Sequence, residues 1–176
     1  MARRRPQRSA LLVGAVLLNV SPLAAATAHA QQISALQCAG TESDSYAPGV
    51  VFQPRDFTIT LTARFDTCLD TTGQVTSGAY GPEQFTLHAG CNDLLDGFQG
   101  PRTFAWSTGD SSVFEGTGQS TEVAGQVITT ITGTITQGRF QGHSAVQTIT
   151  LPQPGLLQCL TTGYTGATGV TTLTIT

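Results

Sequence analysis

Residues 123–151 read VAGQVITTITGTITQGRFQGHSAVQTITL, and the alternation within them decides the fold class. Val127, Thr129, Ile131, Gly133 and Ile135 share one face, and Ile128, Thr130, Thr132 and Thr134 share the other. Residues 137–142 interrupt the pattern and residues 145–151 resume it, which predicts a β-hairpin. Branched side chains are stiff at χ1 and suit a pleated surface, while Gly138 and Gly142 permit the positive φ that a reversal needs. Gly133, inside a strand, suits the tight bend of a sheet that curls.

Working outward, Phe57, Ile59, Leu61, Ala63 and Phe65 alternate with Thr58, Thr60, Thr62 and Arg64, a second strand with one buried and one wet face that ends at Cys68. Residues 70–73 read as a turn, 74–80 as a strand, Gly81 and Pro82 as another turn, and 84–88 as a strand leading to Cys91. Residues 50–53 suit a short edge strand closed by Pro54. Residues 92–101 form a polar break, and 102–106 and 111–118 flank a turn at 107–110. Val170, Leu173 and Ile175 fall in a last strand. No segment carries apolar residues at helical spacing over a useful length, and residues 92–98 suit one helical turn at most. Nine or ten short strands predict an all-β fold, an antiparallel β-barrel, with a β-sandwich as the alternative. Sequential hairpins without an evident crossover favour closure, which also removes exposed strand edges.

The first 30 residues are expected to be a Sec-type secretory leader rather than part of the fold. Arg3, Arg4, Arg5 and Arg8 are followed by an apolar run over residues 10–20 and by Ala28-His29-Ala30, with cleavage after Ala30. That run is shorter than the ~20 residues a membrane helix needs. The remaining domain, residues 31–176, keeps four arginines, no lysine and all eleven acids, a net charge of −7. Such a balance argues against nucleic acid, whose binding rests on neutralised phosphates, and against an anionic membrane surface.

Four cysteines, Cys38, Cys68, Cys91 and Cys159, all follow the leader, and an even count in an exported chain predicts two disulfides. If strands 74–80 and 84–88 run down and back up, Cys91 returns to the level of Cys68. That favours Cys68 with Cys91 and leaves Cys38 with Cys159, while the other two connectivities stay open.

The segment GTITQGRFQG over residues 133–142, together with Leu151-Pro152, Leu156-Leu157-Gln158-Cys159 and residues 106–112, resembles a group of small secreted actinobacterial β-rich proteins with no assigned activity. The resemblance spans most of the chain after the leader and implies no function. The Gly-x-Phe-x-Gly turn around Phe140 is also similar to turns in barrels of the dirigent and allene-oxide-cyclase type, where shared turn chemistry accounts for it and Phe140 caps the barrel end.

No catalytic residue stands out. No serine lies in Gly-x-Ser-x-Gly, and of the histidines only His88 and His143 follow the leader. Nothing has metal-ligand spacing, and no motif implies a cofactor. Asp66 and Asp70 flank Cys68, and Asp93 and Asp96 follow Cys91, so a Cys68–Cys91 bridge would crowd four acids at one end; a solvated loop face is the plainer reading. Trp106, Phe104, Tyr80, His88 and His143 are the candidate ligand contacts, with Tyr46, Tyr164 and Phe98 as further aromatics for a groove or barrel mouth. Packing in the core competes with that reading for the rings. The expectation is a secreted, non-catalytic β-domain that binds a polysaccharide or an extracellular protein or forms part of the cell exterior. A barrel-type carrier or enzyme for a small ligand, and a protease inhibitor presenting residues 97–102, are the rivals; an interior void is what separates the first of them from the rest.

Overall fold

The computed structural model describes residues 35–93 and 98–176. The expected leader with its cleavage point, and Asp96 and Gly97, lie outside the described residues. Eight strands run in chain order: β1 (Leu36–Val50), β2 (Arg55–Asp70), β3 (Gly78–Ala89), β4 (Phe98–Trp106), β5 (Ser111–Val123), β6 (Gln126–Gly138), β7 (Ser144–Pro152) and β8 (Tyr164–Ile175). Each is antiparallel to its neighbours, and β8 pairs with β1 to close the barrel. A short helix, α1 (Leu156–Leu160), sits in the last connection.

The alternation that announced the strands also points one side chain in two at the barrel axis. Gly138 and Gly142 bracket the β6–β7 turn with φ of 80° and 87°, and Phe140 between them takes φ 64°. Gly133 faces Gly116 across β5 and β6, and a Cβ on it would fall 1.9 Å from the Glu115 carbonyl oxygen, so the close approach that curls the sheet there requires glycine.

The count is eight rather than nine or ten because two expected breaks are not reversals. The chain runs through Gly81 and Pro82 in one direction; the register against β2 shifts between Leu61 and Ala63, so this pair forms a bulge inside β3. At the other break, residues before Val50 already belong to the long β1, and no strand covers 51–53.

That merger overturns the expected disulfides. Since β3 traverses the barrel once, Cys91 emerges at the end opposite Cys68. Cys68 instead lies directly across from Cys38 in the β1–β2 ladder and bonds to it, and Cys91 bonds to Cys159 on α1. The four-acid cluster goes with it: Asp66 and Asp70 are at one end of the barrel and Asp93 at the other.

One half of the interior is filled. Phe104, fully buried, is the hub: its ring lies 5.7–5.9 Å from those of Phe65, Tyr80, Trp106 and Phe114. Each such pair contributes about 0.5–1.5 kcal/mol beyond area burial. Trp106 donates its indole N–H to the Ser112 hydroxyl at 2.8 Å, and Ser112 in turn donates to the Arg139 carbonyl. Phe140 stands edge-on against Trp106 at 5.9 Å and closes this end.

The eighth joint differs from the rest. β3 and β4 pair only at Gly78–Trp106 and Ala79–Ala105, beside the closed end. Beyond Ala79 their register ends, and the Glu83 carboxylate spans the gap, accepting from the Thr103 amide at 3.4 Å and facing the Arg102 Nε at 3.5 Å.

Candidate ligand cavity at the open end

The half of the barrel away from Phe140 holds a cavity of about 300 Å³. Its wall is apolar: Ile59 and Leu61 from β2, Phe85 and Leu87 from β3, Val127 and Ile131 from β6, and Ile149 and Leu151 from β7. Tyr46 and Tyr164, with ring centres 5.4 Å apart, border it on the β1–β8 side. The end of β7 and the connection after it bring Pro152 and Pro154 to the rim, and the Cys91–Cys159 bridge ties that connection to the chain following β3. A second depression, over β4, β5 and β6, is lined by Gly100, Gly116 and Gly133 with Thr117, Thr132 and Thr134.

The floor of the cavity is charged. Glu42 and Arg102 are 1% and 3% exposed, yet both sit on inward positions in phase with the core residues of β1 and β4. Burial of such groups demands partners. Arg102 donates from Nη1 to the Gln147 Oε1 at 2.6 Å, and its guanidinium lies 4.3 Å above the Tyr80 ring. Gln147 then donates from Nε2 toward three oxygens: Thr171 Oγ1 at 3.0 Å, Glu42 Oε2 at 3.2 Å and the Tyr80 hydroxyl at 3.3 Å. An amide has two hydrogens, so one of them is shared. Glu42 also bonds Tyr80 and Thr171. Asp44, two residues further along β1, borders the cavity and bonds the Tyr46 hydroxyl, and its Oδ1 is buried with no hydrogen-bond partner.

The charges of this floor do not balance. Two interior carboxylates face one guanidinium, which Glu83 already engages. Burial is the main force raising the Glu42 carboxyl. Burial, reinforced by the neighbouring Glu42, pushes Asp44 up to about 8, against the opposing pull of Arg102. Burial likewise raises Tyr46 and Tyr80, and lifts Tyr164 to about 12. Near neutrality Asp44 is therefore a neutral carboxylic acid at the bottom of an apolar chamber.

Of the five residues singled out in the sequence, Trp106 and Phe104 lie in the filled half, and Tyr80 belongs to the hydrogen-bonded layer beneath the cavity. His88 stands at the rim, 68% exposed, its Nδ1 2.7 Å from Asp56 Oδ1. His143 is at the opposite end, exposed, against the edge of Phe140. Tyr46 and Tyr164 do line the chamber. Residues 98–102 are part of β4 rather than a protruding loop, and Phe98 is described by its backbone alone. Among the described residues no three His, Cys, Asp or Glu side chains converge as metal ligands, and no helix is long and apolar enough to cross a membrane. Glu42, Asp44, Arg102, Gln147 and Thr171 were not anticipated as site residues; their signal was polarity in phase with the buried set of their strands.

Fold and site define a class: a closed eight-stranded antiparallel barrel, half packed and half hollow, with two disulfides and an ionisable floor. Comparison with protein-family models, with curated proteins and with solved structures gives no match.

Proposed function

We propose that the protein is an extracellular carrier that holds one small, mostly apolar ligand in the open half of its barrel. The observation that carries this reading is the chamber itself: about 300 Å³, walled by Ile, Leu and Val side chains and ending on a few convergent polar groups, the usual composition of a small-molecule site. The two disulfides are compatible with the oxidising exterior to which the leader would deliver the chain. The depression over β4, β5 and β6 is lined by glycine, threonine and backbone and carries no aromatic ring for a sugar to stack on, and Trp106 and Phe104 are turned inward.

The test is ligand-dependent stability. A ligand at a hundred times its Kd stabilises the native state by about 2.7 kcal/mol, which raises Tm by roughly 5–10 °C in a domain of this size. Apolar compounds of one or two rings are expected to produce such a shift in the wild type. Leu151→Trp, which places an indole in the chamber, is expected to abolish it without loss of the barrel's circular dichroism. Equal shifts in both proteins would place binding elsewhere. Mass spectrometry of the recovered ligand separates carriage, in which its mass is unchanged, from catalysis.

A further inference from the structure

We infer that the ligand is a small amine, bound as its ammonium ion by Asp44 at the chamber floor, with its apolar remainder against the Ile, Leu and Val wall. This rests on the carrier reading and adds the ligand's chemistry to it.

Three observations converge on a cation. First, the groups that face Asp44 are Glu42 and Tyr46 from β1, Arg102 from β4 and Tyr164 from β8, with Tyr80 and Glu83 of β3 beyond them and His88 and Asp93 at the rim. Arg102 is the permanent cation of this set, and its guanidinium is already shared among Gln147, Glu83 and the Tyr80 face. A positive ligand supplies the counter-charge that lets Asp44 ionise beside Glu42, whereas an anion would compete with the carboxyl groups for the one guanidinium. Second, Asp44 Oδ1 is an oxygen shielded from solvent, on a residue that borders the chamber, with nothing bonded to it. Buried polar atoms left in this condition are unusual, and a turn of the carboxyl about χ2 brings this oxygen to an ammonium N–H in the chamber. Third, Tyr46 and Tyr164, which both interact with the Asp44 side chain, bring two aromatic rings to the same side of the chamber, and ring faces attract an ammonium in a desolvated site. Size bounds the rest of the molecule: a cavity of ~150 Å³ holds benzene, so a chamber twice that volume admits an amine with one ring and a short chain, or an alkylamine of similar bulk.

Binding moves a proton. Near neutrality the free protein carries Asp44 as the neutral acid. Pairing with R–NH₃⁺ leaves the carboxylate and releases that proton to solvent, so each complex formed liberates one proton. Affinity for the amine therefore rises about tenfold per pH unit below pH ~7, less steeply up to roughly 8, and levels off between there and the amine's own pKa. A neutral ligand that accepts a hydrogen bond from protonated Asp44 shows the opposite trend, weakening as pH passes 8.

Calorimetric titration with 2-phenylethylamine, 2-phenylethanol and 3-phenylpropanoate at pH 6, 7 and 8 decides the matter. The expected result is preference for the amine, affinity increasing about ninefold from pH 6 to 7 and about fivefold from pH 7 to 8, and release of a proton seen as a dependence of the heat on the buffer's ionisation enthalpy. Asp44→Asn is expected to lower amine affinity at least tenfold and to leave 2-phenylethanol within threefold of wild type. The pH series on unmodified protein stands by itself should the variant not fold. Tighter binding of the alcohol or of the anion, or amine affinity flat with pH, overturns the amine inference and leaves the carrier reading intact. If none of the three probes binds, or if Leu151→Trp binds them as well as wild type does, the carrier reading falls and the amine inference with it.

Discussion

Two aspartates show how differently one fold can treat the same side chain. Asp70 ends β2 and organises the turn after it, its carboxylate accepting from the amides of Thr72, Gln74 and Val75 at 3.0–3.1 Å and from the Thr72 hydroxyl at 2.6 Å. Desolvation opposes ionisation there, but those bonds outweigh it and hold the carboxyl at about 2. Its contribution is thus present above pH ~4 and lost as pH falls toward 2. Asp70→Ala is expected to cost roughly 2 kcal/mol at pH 7, read from the urea midpoint, with the deficit shrinking in acid. Asp44 has the reverse sign. Its folded value, about 8, lies above the ordinary 3.8, so between these limits the native protein keeps a proton that the unfolded chain has released. Stability then falls as pH rises through that window and levels off above it. Asp44→Asn removes the slope: against wild type the variant is expected to gain roughly 1–3 kcal/mol on going from pH 4 to pH 8, again by urea unfolding.

At the scale of elements, the strands that were plain in the sequence are those whose inward face is wholly apolar. β2, with Phe57 to Phe65 at every second place, and β6 with Val127 to Ile135, could be read directly. β1 could not, because its inward positions include Gly40, Glu42 and Asp44 between Cys38 and Tyr46, and a polar residue at a core position reads as a loop. The same property hid the site: a chamber floor is made of residues that break the hydrophobic rule inside otherwise regular strands, as Arg102 does before Phe104 and Gln147 does before Ile149. Gly81-Pro82 misled for another reason, since a bulge and a reversal use the same residues and only the register of the partner strand tells them apart. Gly133 was legible because its function is steric. Gly133→Ala is expected to cost about 1–3 kcal/mol, seen as a lower urea midpoint, since the added methyl meets the Glu115 backbone rather than a side chain that can turn away.

For the molecule as a whole, the two bridges divide the work. Cys38–Cys68 fastens two strands that already pair, across 30 residues, whereas Cys91–Cys159 joins segments 68 residues apart at the mouth. In the chain-entropy picture each contributes about 4 kcal/mol, the longer slightly more. A Cys91→Ser, Cys159→Ser variant is therefore expected to melt lower than wild type yet keep the filled half, with Trp106 fluorescence unchanged below the transition. Taken together, the opposite slopes of Asp70 and Asp44 place the stability maximum at about pH 4–5, on the acidic side of the usual range. A chain read by periodicity yields the closed wall but not its contents, since pairings such as Arg102 with Gln147 depend on closure and leave no local trace. The short ladder between β3 and β4 has its own implication for how the vessel opens. Seven of the eight seams between its staves are glued along their length, and the eighth is glued only at the base and spanned once by Glu83. A guest too bulky for the rim would spread those two staves apart and leave through the side, so the speed of escape should answer to the length of residue 83 while the tightness of the grip does not.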